Sequence, residues 1–406
     1  MQSNIKTKNT ETVGKKTLTA CFIGYIVQAV VNNFVPLLFV TFQNTYKIPL
    51  TRITLLITVN FIVQLIVDLL SAVFINKIGY RPCVVFAHIC SAVGLIMLTV
   101  LPELLPNAFL GILISVCVYA VGGGLIEVII SPMVEACPTK NKEKTMSLLH
   151  SFYCWGHVAV VLISTVFFAL FGINNWKILA LIWSLIPICN AIIFFKVPIF
   201  ALESDEEKGL NLKQLFGSGV FWLLLIMMIC SGSAEQSVSQ WASAFAEKGL
   251  NIGKTLGDIA GPMAFAAFMG ISRLIFGKFG DKLNLTEFMY FSCALCIVCY
   301  LLISLVPSAF INLLAAAVCG FSVGILWPGT YSIASASLKN GGTAMFALLA
   351  LAGDVGCTVG PTLTGMVSSA FNNNLRWGIL AAVVFPVMLI LSFFILRKVL
   401  KKNEKQ

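Results

Sequence analysis

The chain has 406 residues, of which 58% are hydrophobic and only 11% are charged, and its mean hydropathy is +0.93. Soluble domains carry about twice that charged fraction, so the composition excludes a water-soluble globular domain, a disordered chain and a small disulfide-linked scaffold. The apolar stretches are continuous rather than alternating, which argues against an outer-membrane β-barrel. A polytopic helical membrane protein is therefore predicted, in which each span needs roughly 20 apolar residues.

The net charge of +10 is concentrated at the ends of the apolar segments and in the C-terminal tail. In a membrane protein this placement reports topology, so no nucleic-acid partner is predicted. The 13 cysteines lie almost entirely within apolar stretches, and no structural disulfide is expected of them. Cys293, Cys296 and Cys299 form a C-x-x-C-x-x-C run without a nearby carboxylate or histidine, so no metal site and no other cofactor is predicted.

Polar breaks divide the chain into twelve apolar segments. The predicted spans are residues 17–43, 51–75, 82–101, 107–136, 145–170, 177–197, 216–245, 255–279, 286–306, 309–336, 343–370 and 377–397. The longest hydrophilic interruption separates six spans from six. The predicted organisation is an all-α membrane protein with a cytoplasmic tail (1–16), a six-helix bundle (17–197), a cytoplasmic loop (198–215), a second six-helix bundle (216–397) and a basic cytoplasmic tail (398–406).

Lys and Arg are distributed unevenly between the two sides of the predicted bundle. Twenty of the 27 lie on the side that carries the N-terminus, six lie on the other side, and Arg273 lies within a span. Because cytoplasmic loops carry the excess of Lys and Arg, we expect a multi-pass protein of the inner or plasma membrane with both termini in the cytoplasm.

The two halves of the chain repeat each other. Gly124 and Gly324 lie in spans 4 and 10, Gly156 and Gly356 lie in spans 5 and 11, and each pair is separated by 200 residues. A repeated helical bundle of this kind places its binding site between the halves, near the middle of the membrane. The organisation predicts a transporter that works by alternating access.

Polar side chains inside a span need a bonding partner, a cavity or a function. Span 1 carries Gln28, Asn32 and Asn33, which are expected either to hydrogen-bond a solute or to join neighbouring helices. His150 and Tyr153 lie three residues apart on one face of span 5. They either contribute to a cavity or, for His150, remain solvated near the cytoplasmic end.

Glu127 in span 4 follows the glycines of segment 122–124 and shares a helix face with Ser131. Glycines let another helix approach closely, and a carboxyl group in a partly dry site can bind a proton near neutral pH. Glu127 is therefore the main candidate for proton coupling. The alternative is a structural carboxyl group that bonds a neighbouring helix.

Span 7 contains a run of polar residues that includes Glu235, Gln236, Ser239 and Gln240. A helix this polar cannot face lipid around its whole circumference. Either the polar face lines a watery cavity or the helix is broken there, and we expect the cavity. Trp241 follows this run and is expected either to stack on a sugar ring or to anchor the span at the membrane interface.

Asp68 and Arg273 occupy equivalent positions of the repeat, 205 residues apart. Charged residues placed in this way form either gate pairs that break during transport or permanent structural pairs. Asp354 lies within span 11 among small residues. We interpret it as a third candidate coupling carboxylate, beside Glu127 and Glu235.

Several motifs resemble the major facilitator superfamily. Its loop pattern G-x-x-x-D-(R/K) is matched by Gly277, Asp281 and Lys282. The fucose permease-like branch of that superfamily has a G-x-G-x-x-E motif in span 4, which resembles residues 122–127, and a Y-P-T-x-F-S stretch in span 10, which resembles residues 327–332. The likeness consists of separate motifs in both halves of the chain.

The resemblance implies a fold of twelve transmembrane helices in two pseudo-symmetric six-helix bundles, the major facilitator fold. It implies a proton-coupling role for Glu127, gating roles for Asp281 and Lys282, and solute contacts at Trp327 and Tyr331. The full set of candidate solute contacts is Gln28, Asn32, Asn33, His150, Tyr153, Gln236, Trp241, Trp327 and Tyr331.

The predicted function is secondary active transport of a small polar solute, a sugar or a sugar-like molecule. The protein is expected to work as a lipid-embedded monomer and as a symporter with protons, with sodium as the other candidate ion, and no enzymatic activity is predicted. The alternative is a proton-antiport exporter of amphipathic compounds. A cavity dominated by aromatic and Met side chains would favour that alternative.

Overall fold

A computed structural model of the chain describes residues 2–139, 142–200, 210, 212–279, 284–338 and 341–403. Twelve helices among these residues are long and apolar enough to cross a membrane, and no described residue forms a strand. In chain order, the spans α1 to α12 are Gly14–Tyr46, Leu50–Ser71, Tyr80–Leu104, Ala108–Ala136, Leu148–Phe171, Ile173–Lys196, Gly219–Gly249, Lys254–Phe276, Leu285–Leu305, Ala309–Ser337, Met345–Ala370 and Leu375–Leu400. The predicted all-helical fold with twelve spans is confirmed.

Several helices run beyond their apolar spans. The helix of α1 begins at Gln2, and the helices of α2, α5 and α11 are Leu50–Ile78, Lys142–Phe171 and Gly342–Ala370. The helix of α8 continues to Phe279 and that of α12 to Asn403, and a short helix, Leu212–Gly217, precedes α7.

The span α1 is interrupted near its middle. Its α-helix ends at Asn33, a 3₁₀ turn follows at Val35–Leu38, and a second α-helix covers Phe39–Tyr46. Pro36 lies in the 3₁₀ turn and has no amide hydrogen to donate, so the regular helix cannot continue through it. The break follows the two asparagines directly and places them at a helix end.

The spans α7 and α10 are also interrupted. In α7 the helix ends at Ser239, a turn follows, and a short helix restarts at Ala242. In α10 the helix ends at Val323 and restarts at Leu326. The break in α7 falls within the polar run of this span, so of the two alternatives for that run, a broken helix is present.

The chain divides into two compact units. The first comprises Met1–Ile48 and Ile62–Ser204, and the second comprises Pro49–Phe61 and Asp205–Gln406. The span α2 therefore contributes its first part to the second unit. Within that unit the hydroxyl groups of Thr58 and Thr362 lie 2.6 Å apart.

Each unit contains the same close approach of two helices at a glycine. In the first unit, a methyl group on Gly124 of α4 would lie 3.0 Å from the Cα atom of Gln64 in α2. In the second unit, a methyl group on Gly324 of α10 would lie 2.9 Å from the carbonyl oxygen of Met269 in α8. Gln64 and Met269 are themselves 205 residues apart. The repeat seen in the sequence is therefore a repeated helix contact within the two units.

A second pair of glycines behaves in the same way. A methyl group on Gly156 of α5 would lie 3.0 Å from the Cβ atom of Ala29 in α1. A methyl group on Gly356 of α11 would lie 2.9 Å from the backbone nitrogen of Ser233 in α7. Small residues allow such close backbone approach in membrane proteins, and here they bring α1 and α7, which carry most of the polar candidates, against their neighbours.

Replacing Gly324 with Ala tests this packing. The added methyl group would lie 2.8 Å from the Cβ atom of Ser272 and 2.9 Å from a backbone oxygen, so one helix must move. We expect Gly324→Ala to lower the free energy of unfolding by about 1–3 kcal/mol, measured as a lower melting temperature of the purified protein in detergent. Gly219→Ala is the control, because nothing lies within 4 Å of that position. Equal melting temperatures for both variants would contradict the packing argument.

Candidate functional site

The first unit holds Glu127 against a glutamine of α1. The Nε2 atom of Gln28 donates a hydrogen bond of 2.5 Å to the Oε2 atom of Glu127. Gln28 is buried and Glu127 is half-buried. The carboxyl group of Glu127 therefore has a neutral amide among its hydrogen-bond partners.

Tyr25 lies one helical turn before Gln28 in α1 and also bonds α4. Its hydroxyl group lies 2.8 Å from the hydroxyl group of Ser131 in α4. The ring of the exposed His150 packs edge-on to the Tyr25 ring, with the ring centroids 5.6 Å apart. Sequence reasoning missed Tyr25, although its spacing of three and seven residues from Gln28 and Asn32 places all three on one helix face.

The two asparagines of α1 bond different helices. Asn32 accepts a hydrogen bond of 2.9 Å from the side-chain amide of Gln64 in α2. Asn33 donates to the carbonyl oxygen of Ala29 at 2.9 Å and to the hydroxyl group of Tyr153 in α5 at 3.4 Å. Gln64 is a polar neighbour that sequence reasoning missed. The available signal was an amide side chain within an apolar span, and the structure shows that it is buried.

The second unit contains an ion pair between two predicted residues. The Nη2 atom of Arg273 in α8 lies 3.3 Å from the Oε2 atom of Glu235 in α7. Gln236 donates to the other carboxylate oxygen of Glu235 at 3.3 Å, and Gln240 donates to Gln236 at 3.1 Å. A candidate gating residue and a candidate proton-coupling residue are therefore partners within one unit.

Arg273 also contacts α10 at the helix break. Its Nε atom donates to the carbonyl oxygen of Gly324 at 3.3 Å. In a regular helix that carbonyl would accept from the residue four positions later, which is Pro328 and has no amide hydrogen. The proline thus leaves a backbone acceptor for the guanidinium group.

The remaining candidates of the second unit lie in α10 and α11. The ring of Trp327 packs against Gly353, where an added methyl group would overlap it, and Gly353 directly precedes the half-buried Asp354. The ring of Tyr331 lies 5.8 Å from that of Phe346, centroid to centroid. The structure thus places Trp327 next to the backbone that carries Asp354.

Trp241 is fully buried in the second unit. Its indole nitrogen donates a hydrogen bond of 3.0 Å to the carbonyl oxygen of Pro361 in α11. Ring stacking on a solute and anchoring at the membrane interface both need an accessible face, which this conformation does not provide. The contact favours a structural role for the indole ring.

The other predicted gating residues take different positions. Asp281 and Lys282 lie outside the described residues. Asp68 is half-buried in α2, and its backbone carbonyl accepts a hydrogen bond of 2.7 Å from Ser71. Among the side chains that the structure describes, no group of three or more His, Cys, Asp and Glu is placed to hold a metal ion.

The chain was compared with known protein families and with curated proteins. A sequence profile described as Major Facilitator Superfamily matches residues 20–361. A search of curated proteins finds no match.

Three solved structures share the architecture of this chain. A bacterial homologue of the human lysosomal transporter Spinster, inward-facing and occupied, matches with a TM-score of 0.71 and 16% identity, over 94% of this chain and 96% of that one. A mutant of the nucleoside transporter NupG matches with a TM-score of 0.73 and 12% identity, over 95% and 99%. A mutant of the E. coli fucose:proton symporter FucP matches with a TM-score of 0.65 and 14% identity, over 93% and 98%. At these identities the likeness concerns the fold alone.

The burial of Trp241 leads to a prediction. Trp241→Phe removes the hydrogen bond to Pro361, so we expect a loss of about 0.5–1.5 kcal/mol in the free energy of unfolding and no change in solute affinity. Trp222→Phe is the matched control, because the indole of Trp222 also donates to a backbone carbonyl, at 2.9 Å, but is exposed. Thermal unfolding and solute binding are measured for both variants. A weaker solute affinity with unchanged stability would instead support a solute contact at Trp241.

Proposed function

Because the chain belongs to the Major Facilitator Superfamily, a family of transporters, we propose that it carries a small polar solute together with a proton by alternating access. The substrate class is a sugar or a sugar-like molecule. The observation that carries the proposal is the bond between Gln28 and Glu127, which joins a candidate solute contact to a candidate proton carrier. The structural likeness to a fucose:proton symporter supports the same interpretation.

The polar side chains of the first unit support a hydroxyl-rich solute. Gln28, Asn32, Asn33 and Tyr153 provide amide and hydroxyl groups, each of which can donate and accept hydrogen bonds. They are joined to one another or to Glu127 and Gln64. This composition favours the symport of a polar solute over the export of amphipathic compounds.

Coupling between solute and proton follows from linkage. Glu127 binds the proton, and Gln28 is its direct partner. A solute that hydrogen-bonds Gln28 changes the surroundings of the carboxyl group, and protonation of the carboxyl group in turn changes the affinity for solute. A solute and a proton that both favour the same conformation move together through the transport cycle.

The second unit contributes two further carboxylates to the proposal. Glu235 is buried beside Arg273, and Asp354 is half-buried and follows Gly353, against which the Trp327 ring packs. Both remain candidates for proton coupling. The proposed location is the inner or plasma membrane, with both termini in the cytoplasm and the monomer as the working unit.

Replacing Glu127 with Gln tests the proposal. The variant keeps an amide partner for Gln28 but cannot exchange a proton. In proteoliposomes loaded with solute we expect counterflow exchange to continue, while accumulation driven by an inward proton gradient falls to the level of a passive leak.

The control for this experiment is Glu287→Gln, which changes an exposed carboxylate at the first turn of α9. This variant is expected to accumulate solute as the unmodified protein does. Proton-driven accumulation that persists in Glu127→Gln would assign coupling to another group. Loss of both exchange and accumulation, in a variant with unchanged thermal stability, would make Glu127 a binding residue rather than a proton carrier.

A further inference from the structure

Arg273 is a cation inside a helix bundle, and two of its contacts are long. Its guanidinium group lies 3.3 Å from Glu235 and 3.3 Å from the carbonyl oxygen of Gly324. A permanent charge-assisted bond is typically about 2.7–2.9 Å long. The ion pair Lys254–Asp258 of the same unit meets that standard at 2.9 Å. These two contacts of Arg273 are longer than that ion pair.

We propose that Arg273 binds a carboxylate group of the transported solute, which takes the place that Glu235 occupies in this structure. This inference rests on the proposed function and narrows its substrate class to a polar solute with one carboxylate, such as a sugar acid. The planar guanidinium group offers five N–H donors in a geometry that matches a carboxylate. Glu235 already provides a carboxylate in this position, so the surroundings of Arg273 accept one.

Glu235 has a second donor that does not depend on Arg273. The Gln236 amide donates to its Oε1 atom, and Gln240 donates to the carbonyl oxygen of the Gln236 side chain. A solute carboxylate that draws Arg273 away therefore leaves Glu235 with a hydrogen-bond donor. Without such support, a buried carboxylate that lost its only partner would cost far more free energy.

The break in α10 is a second sign of a ligand site. Gly324 lies at the break, and its carbonyl group holds the Nε atom of Arg273. Discontinuous helices are typical of substrate sites in transporters. Trp327, a candidate solute contact, lies one turn after the break.

The charge of the site favours a carboxylate over a phosphate ester. Arg273 carries one positive charge, which Glu235 balances in the structure. Glu235 stays in the site when a solute carboxylate takes its place at Arg273, so a solute with a single negative charge adds one charge to the balanced pair, whereas a phosphate ester adds close to two near neutral pH. Burying unbalanced charge is unfavourable, so the smaller added charge of the carboxylate is preferred.

The test compares acids with neutral molecules of the same shape. Purified full-length protein is titrated calorimetrically with D-glucuronate against D-glucose, D-gluconate against D-sorbitol, and D-glycerate against glycerol, with glycerol phosphate as the phosphate arm. We expect at least one acid to bind tenfold or more tightly than its neutral counterpart and more tightly than the phosphate ester. Equal affinities within all three pairs, no detectable binding of any acid, or tightest binding of the phosphate ester would each overturn the proposal.

Variants then assign the preference to Arg273. The double variant Arg273→Gln with Glu235→Gln removes both charges of the pair, and we expect it to bind the acid and its neutral counterpart equally. Arg273→Lys keeps the charge but loses the planar group, and it is expected to weaken acid binding about tenfold. The Arg273→Lys variant still tests the proposal if the double variant does not fold. Arg376→Gln is the control, because Arg376 of the same unit donates to the carbonyl oxygen of Val306 at 2.8 Å and lies over the ring of Phe245.

The outcomes separate this inference from the proposed function. An acid preference that persists in the double variant, or unchanged acid affinity in Arg273→Lys, would overturn the role of Arg273. Proton-driven accumulation of a neutral sugar that depends on Glu127 would leave the proposed function intact in that case. Acid-selective binding that depends on Arg273, in a protein whose accumulation is independent of Glu127, would support the role of Arg273 and contradict the proton-coupling role of Glu127.

Discussion

The hydrocarbon core of a bilayer offers no hydrogen-bond partner to a polar side chain, and this constraint governs how the chain arranges its interior. In the first unit, Gln28 donates to Glu127 and Gln64 donates to Asn32. In the second unit, a chain of two glutamine amides ends at the carboxylate of Glu235. Each of these side chains is a hydrogen-bond partner of another one, so a substitution at one of them removes a partner from its neighbour.

These contacts depend on how closely the helices approach one another. Gly124 brings α4 within van der Waals distance of the α2 backbone, and Gly356 does the same for α11 and α7. Amide and carboxyl side chains are short, so hydrogen bonds between helices form only where the backbones are near. The proline in α1 and the proline in α10 add backbone carbonyl acceptors at the breaks. The glycines allow hydrogen bonds between helices, and the prolines leave backbone carbonyl groups that can accept further hydrogen bonds.

The carboxyl groups of the two units have different partners. Glu127 receives a hydrogen bond from the neutral amide of Gln28, while Glu235 forms an ion pair with Arg273. The described partners of the carboxyl group thus include an amide in the first unit and a guanidinium group in the second. We propose proton exchange for the first setting and recognition of a solute carboxylate for the second.

Hydropathy by itself determined the twelve helices, and residue spacing determined the repeat, because apolar length and periodicity are local properties of a chain. The sequence also singled out Glu127, Glu235 and Arg273, since a charge within a span is visible without any structure. Only the tertiary structure decided that Arg273 pairs with Glu235 and that Gln64 bonds α1. The physical reason is that a hydrogen bond between helices depends on the rotation and separation of two helices, which their individual sequences do not specify.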